Sequence, residues 1–177
     1  MTKVLLVLSS VRQGRAADNV LEATKKQLAT FDNVQIDVAD FRNTPLPLFD
    51  SAVIPSMEEF APDDANVQSW TKQVEEANLV IMLVAEYNHS YTAVLKNAID
   101  WVFKPWNDKP VALISYGWAG GTRATKHLRG VLGSSIATRL SETEVNLYFT
   151  KDIDTEGNII ADTATESIKT LLDANIG

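Results

Sequence analysis

Lys3-Val-Leu-Leu-Val-Leu8, followed by Ser9-Ser-Val-Arg-Gln-Gly-Arg15, decides how the rest of the chain is read. Six residues with no polar alternation predict a strand buried on both faces, the habit of a parallel sheet covered by helices on either side. The polar loop behind it leads into a helical pattern reaching about Phe31, with Ala17, Leu21, Thr24 and Leu28 on one face. Two more uninterrupted apolar runs repeat the theme, Leu79–Val84 and Val111–Ile114.

Further out, Val34-Gln-Ile-Asp-Val38 alternates and predicts a strand nearer the sheet edge, since only one face needs burial. Helical periods run through Val67, Trp70, Val74 and Ala77; through Val94, Leu95, Ala98, Ile99 and Val102; and through Ala124, Leu128, Val131 and Leu132. Residues 136–150 predict a fifth strand with an interruption around Ser141–Thr143. Asp154–Asn158 reads as a turn, and Ala164, Ile168, Leu171 and Leu172 mark a last helix. Five β-α units with right-handed crossovers require a parallel α/β sheet, and the order 2-1-3-4-5 suits them. A ligand in such a sheet sits beyond the strand C-termini, so the loops after strands one, three and four converge on it.

Residues 40–62 stand apart: Pro45, Pro47, Pro55 and Pro62 lie among Leu46, Leu48, Phe49, Ile54, Met57 and Phe60. So long an irregular stretch with apolar residues is expected to pack on a ligand or a partner subunit, or else to fold over the core.

Composition narrows the chemistry. The chain has 177 residues, 16 Lys plus Arg, 23 Asp plus Glu, a net charge of −7, two His and no Cys. Without Cys there is no disulfide, thiolate metal site or cysteine nucleophile. No apolar run approaches the roughly 18 residues of a membrane span, and the strand begins directly after Met1-Thr2-Lys3 without a signal-peptide pattern. The acidic balance opposes nucleic-acid binding. A single cytoplasmic domain over 1–177, with no membrane or nucleic-acid partner and no metal, is the expectation.

The three convergent loops carry the unusual residues. Ser9, Ser10, Arg12 and Arg15 surround Gly14 ahead of a helix. Hydroxyls, guanidinium groups and free helix N–H groups suit a phosphate, although capping and solvation alone would also account for the loop. In the second loop, Tyr87 and Asn88 of Glu86-Tyr-Asn-His-Ser90 offer a flat face and an amide to a ring. His89 reads as a helix-entry residue in preference to a proton donor, and Lys96–Asp100 as an ordinary i,i+4 pair. In the third, the glycines of Ser115-Tyr-Gly-Trp-Ala-Gly-Gly121 would let backbone N–H groups approach a ligand closely, although a simple tight turn accounts more readily for this loop taken alone. One phosphate and one planar hydrogen-bonding ring describe flavin mononucleotide. No side-chain nucleophile or catalytic triad is discernible.

These stretches, with Leu95-Lys-Asn-Ala-Ile-Asp-Trp101, Lys109-Pro-Val-Ala-Leu-Ile114 and Leu46-Pro-Leu-Phe-Asp50, resemble the NADPH-dependent FMN reductases. These are flavodoxin-like three-layer enzymes that include quinone, azo-dye and chromate reductases. The resemblance implies that Ser10, Arg12 and Arg15 hold the FMN phosphate and that Glu86, Tyr87 and Asn88 lie along the isoalloxazine. It places Ser115, Tyr116 and Gly117, with Gly120, at the pyrimidine side. It also implies NADPH or NADH as co-substrate, a small-molecule electron acceptor and ping-pong transfer. A homodimer or homotetramer follows, with Phe103, Trp106 and residues 40–62 as candidate contacts.

Ala85 and Thr92 stand where the family commonly has proline, departures expected to loosen the loop and lower flavin affinity. Trp118 replaces a small residue and is expected to cap the flavin or narrow access. A flavodoxin-like electron carrier and a flavin-based redox sensor are the alternatives. The arginine-bearing phosphate loop speaks against the carrier.

Overall fold

A computed structural model of the protein describes residues 1–134 and 136–176. In chain order the elements are β1 (Thr2–Leu8), α1 (Ala17–Leu28), β2 (Val34–Asp40), α2 (Ala65–Glu76), β3 (Leu79–Ala85), α3 (Ala93–Asp100), β4 (Pro110–Gly117), α4 (Thr122–Ser134), β5 (Arg139–Tyr148) and α5 (Asp162–Ile176), with a short 3₁₀ turn at Lys104–Trp106. The five strands form one sheet in the order 2-1-3-4-5, and every neighbouring pair is parallel. This is the flavodoxin-like arrangement expected from the alternation of elements.

The apolar runs explain the layers. Along β1, Leu5 and Val7 pack with residues of α2, α3 and α4, while Val4, Leu6 and Leu8 pack with residues of α1 and α5. Every residue of β3 is buried, because β3 has strands on both edges and helices on both faces. β2 lies at the sheet edge and buries only Ala39 fully, in keeping with its alternating sequence.

Three boundaries differ from the sequence expectation. α1 ends at Leu28 and the chain turns through Ala29–Phe31, whose N–H groups bond back into the last helical turn. β4 continues through Ser115, Tyr116 and Gly117, because these residues pair with Asn146, Leu147 and Tyr148 of β5. The expected interruption at Ser141–Thr143 is a register shift: Leu140 pairs with Val111 and Glu144 with Leu113.

The proline-rich segment after β2 is clamped by α3. Asn97 Nδ2 and Trp101 Nε1 both donate to the Pro47 carbonyl at 2.8 Å, and Phe49 N–H donates to Asn97 Oδ1 at 2.8 Å. Phe49 meets the Trp101 ring edge-on, 4.9 Å between centroids. Trp106 is not a surface contact: it is fully buried, with its ring centroid 5.9 Å from that of Trp70. The 3₁₀ turn directs it into the core, whereas Phe103, Leu48, Ile54 and Met57 remain exposed.

Candidate functional site

The C-terminal ends of β1, β3 and β4 open into a cavity of about 640 Å³, within the roughly 300–1,000 Å³ usual for cofactor sites. Its wall is formed by Ser10, Arg12, Gly14, Arg15 and Ala16 from the first loop, and by Ala85 to His89 from the second. Tyr116 to Ala119 and Arg123 come from the third loop and α4, with Phe149 and Thr155 beyond β5. Thus Ser10, Arg12, Arg15, Glu86, Tyr87, Asn88, Tyr116 and Gly117 come together as anticipated, while Ser115 and Gly120 are not on the wall.

The two arginines of the first loop have different surroundings. All five N–H donors of Arg15 are engaged inside the protein. Nε and Nη2 donate to Asp18 Oδ1, Nη1 to Asp40 Oδ1 and the Ser10 carbonyl, and Nη2 also to Asp40 Oδ2, all within 2.6–2.8 Å. The Arg15 hydrogen bonds hold the Asp40 carboxyl below its ordinary range, and the same pairing raises the Arg15 guanidinium. Arg15 is therefore a buried fastener between this loop and the end of β2. The guanidinium of Arg12 has no intramolecular partner among the described residues. The Arg12 carbonyl accepts from Arg42 Nη2. No side chain caps α1 at Ala16, whereas Asp64 caps α2 and Thr92 caps α3. Unpaired N–H groups and a free guanidinium consequently share one end of the cavity.

The second loop is tied down rather than loosened. The Ala85 N–H, a donor that proline lacks, reaches Ser9 Oγ at 2.8 Å. The Thr92 hydroxyl donates to the Ser9 carbonyl at 2.6 Å and accepts from the Leu95 N–H at 3.2 Å. Both departures from proline thus end in hydrogen bonds that join this loop to the first. Ser10 Oγ and the Tyr87 hydroxyl, 2.7 Å apart, make a further link. Between Tyr87 and Ser90, which exchange two backbone hydrogen bonds, Asn88 and His89 have φ of 47° and 67°. Two successive left-handed residues make a tight two-residue turn. It holds Asn88 and His89 at the cavity, and no described residue bonds either side chain.

At the third loop, Ser115 Oγ lies 2.6 Å from the Gly120 carbonyl and 2.9 Å from Asn146 Oδ1, so it braces the turn from behind. Gly120 and Gly121 both have positive φ. A Cβ on Gly120 would lie 2.7 Å from the Tyr148 ring, and one on Gly121 would lie 2.6 Å from Ser115 Cβ. Close packing and backbone shape by themselves require glycine at both positions. The N–H groups of Trp118 and Ala119 have no partner in the turn. Tyr116, 4% exposed, carries a hydroxyl that meets no hydrogen-bond geometry among the described residues, and burial pushes that phenol well up.

Arg123, Phe149 and Thr155 escaped the sequence reading. Arg123 donates to Glu86 across 3.3 Å through both its backbone N–H and Nη1. Its place in the first turn after two glycines was the available signal. Phe149 and Thr155 follow β5, where nothing local marks them. The bond from Asn19 Nδ2 to the Glu156 carbonyl, 3.0 Å, draws that turn against α1.

A family model described as NADPH-dependent FMN reductase matches residues 2–151. The chain belongs to that family. It is 30% identical over 141 residues to an NAD(P)H-dependent FMN reductase of Saccharomyces cerevisiae, covering 73% of each protein. Against an NADPH:quinone oxidoreductase of Arabidopsis thaliana it is 31% identical over 159 residues, covering 86% of this chain and 76% of the other. The solved NAD(P)H:acceptor oxidoreductase from Paracoccus denitrificans shares the fold, with a TM-score of 0.76, 21% identity and coverage of 98% and 94%. This FMN reductase family member is accordingly an oxidoreductase, with FMN as cofactor and NAD(P)H as co-substrate. Among the described residues no helix is long and apolar enough to cross a membrane.

Proposed function

We propose that the cavity holds FMN and that the protein passes electrons from NAD(P)H to a quinone, free flavin, azo compound or similar acceptor by a ping-pong mechanism. The observation that carries this reading is the anion-ready end of the cavity. Arg12 is unpaired and α1 is uncapped in a protein of net charge −7, and charged donors and free helix N–H groups favour phosphate. The remaining wall suits a flat, hydrogen-bonding ring. Tyr87 and Asn88 flank it, the Tyr116 hydroxyl has no partner among the described residues, and the turn of Trp118 and Ala119 would offer backbone N–H groups to negative charge. Glu86 meets Arg123 at the rim. Ser115 and Gly120 serve by shaping the turn, and Arg15 by holding the loop that carries Arg12.

When bound in the cavity by Ser10, Arg12 and the loops after β3 and β4, FMN would supply two-electron redox chemistry between NAD(P)H and the acceptor. For a quinone the overall balance is NAD(P)H + H⁺ + quinone giving NAD(P)⁺ + hydroquinone. No side chain has to form a covalent bond. Reductant and acceptor using the opening of this cavity in turn is the physical basis of the ping-pong assignment. Residues 1–177 work as one FMN-binding domain in this reading, and a cytoplasmic setting suits the reductant. The assembly we infer is a homodimer or homotetramer joined through the exposed apolar residues after β2 and Phe103.

The test is anaerobic addition of NADPH to FMN-loaded protein, followed by initial rates with a varied quinone. Bleaching of the flavin absorbance and parallel reciprocal lines are expected. Absorbance that survives excess NADPH and NADH would leave a carrier or sensor in place of the enzyme. Intersecting lines would remove the shared opening.

A further inference from the structure

Trp118 is 72% exposed. Among the described residues it is the one large hydrophobic side chain that is exposed and also lines the cavity. It is not a loosely held surface residue. The Gly117 carbonyl accepts from both the Gly120 N–H, at 3.1 Å, and the Phe149 N–H, at 3.0 Å, so the turn bearing Trp118 is pinned to the end of β5. Packing of Gly120 on Tyr148 and of Gly121 on Ser115 leaves that turn little room to move. Phe149 then supports the indole, with centroids 5.5 Å apart and planes at 75°. An edge-to-face brace of this kind restricts the ring, and most of the Trp118 surface remains accessible beside it.

We propose that Trp118 is an acceptor-binding residue that stacks on planar conjugated rings and so selects quinone-class acceptors over acceptors without a ring. This rests on the reading that the cavity holds FMN. A rigid aromatic side chain loses little conformational freedom on binding, so its contact area is converted efficiently into affinity. Ser10, Arg12 and the α1 N-terminus, on the loop after β1, recognise an anion. Trp118 lies on a different loop, between β4 and α4, with its side chain exposed at the cavity. Its indole is therefore assigned to the acceptor step.

The test uses FMN-loaded enzyme at saturating NADPH and compares kcat/KM for 1,4-naphthoquinone with that for ferricyanide. The quinone takes two electrons and two protons to become the hydroquinone. Ferricyanide takes one electron per ion, two ions per NADPH, and has no ring to stack. Trp118→Ala is expected to lower kcat/KM for the quinone about tenfold, the usual worth of one ring stacked on an aromatic side chain. With FMN kept saturating, the ratio of kcat/KM for the quinone to that for ferricyanide therefore falls about tenfold, and Trp118→Phe restores most of that ratio. An unchanged ratio, from equal loss for both acceptors or from no loss at all, would overturn the assignment while leaving the reductase reading intact. If the unsubstituted protein is not reduced by NADPH, the reductase reading falls and takes this assignment with it.

Discussion

Arg12 and Arg15 are three residues apart and chemically alike, yet their surroundings give them opposite tasks. Arg15 is buried with all its donors engaged, and Asp40, whose side chain is 14% exposed, is its main partner. Removing one member of a buried ion pair leaves the other less compensated, and without the Asp40 charge Arg15 keeps only Asp18 and the Ser10 carbonyl. Asp40→Asn is expected to cost about 2–3 kcal/mol of stability at neutral pH, read from urea unfolding. The pH dependence has a definite sign. The Asp40 carboxyl titrates below its ordinary 3.8 in the folded protein, so its contribution is complete above that value and disappears as pH falls through the folded one. Arg15 is raised and stays charged throughout this range. The acid limb of the stability curve should therefore be flatter in Asp40→Asn than in the unsubstituted protein, and equal slopes would refute the assignment. Arg12→Ala is expected to leave stability nearly unchanged while weakening FMN binding by about tenfold or more, as for a lost charged hydrogen bond. Fluorescence titration of FMN measures that change. The sequence marked both arginines, but the local pattern held no sign of which one faces inward, because Asp40 is 25 residues away.

At the scale of elements, the ends of β1 and β3 and the start of α3 meet at Ser9. Its side chain accepts from Ala85 and its carbonyl from Thr92, while Thr92 also caps α3. Thr92→Val keeps the shape and removes both hydrogen bonds. The expected loss is about 1–2 kcal/mol, the sum of a cap and a buried hydrogen bond. Thr92→Ser should recover most of it in the same urea experiment. A Val variant as stable as the Ser variant would show that the node does not hold the loops together. Departures from a family's prolines suggested looseness because sequence comparison shows only the missing ring. The compensating donors act over 76 and 83 residues, so only the folded chain reveals them. The Leu95–Trp101 block is a related case. Its Asn97 and Trp101 clamp Pro47, which accounts for two of its polar or aromatic residues without reference to the cavity.

For the whole molecule, the exposed Leu48, Ile54 and Met57 on the clamped segment, with Phe103, leave apolar surface that a second copy would cover. Light scattering at micromolar concentration is expected to give at least twice the mass of one chain, and a monomeric mass would remove the proposed assembly. The sequence by itself determined the α/β class, the strand order and the three loops that meet. Apolar runs, helical periods and right-handed crossovers are local or nearly local, and they leave one arrangement that buries them. It also marked Ser10, Arg12, Tyr87, Asn88, Tyr116 and Gly117, which all line the cavity. Only the tertiary structure decided that Arg15, Ser115 and Gly120 are engaged within the protein, that Trp106 is core, and that Arg123, Phe149 and Thr155 complete the wall. The physical reason is the same each time: a side chain's task depends on which partners take up its hydrogen bonds and surface, and those partners come from distant parts of the chain.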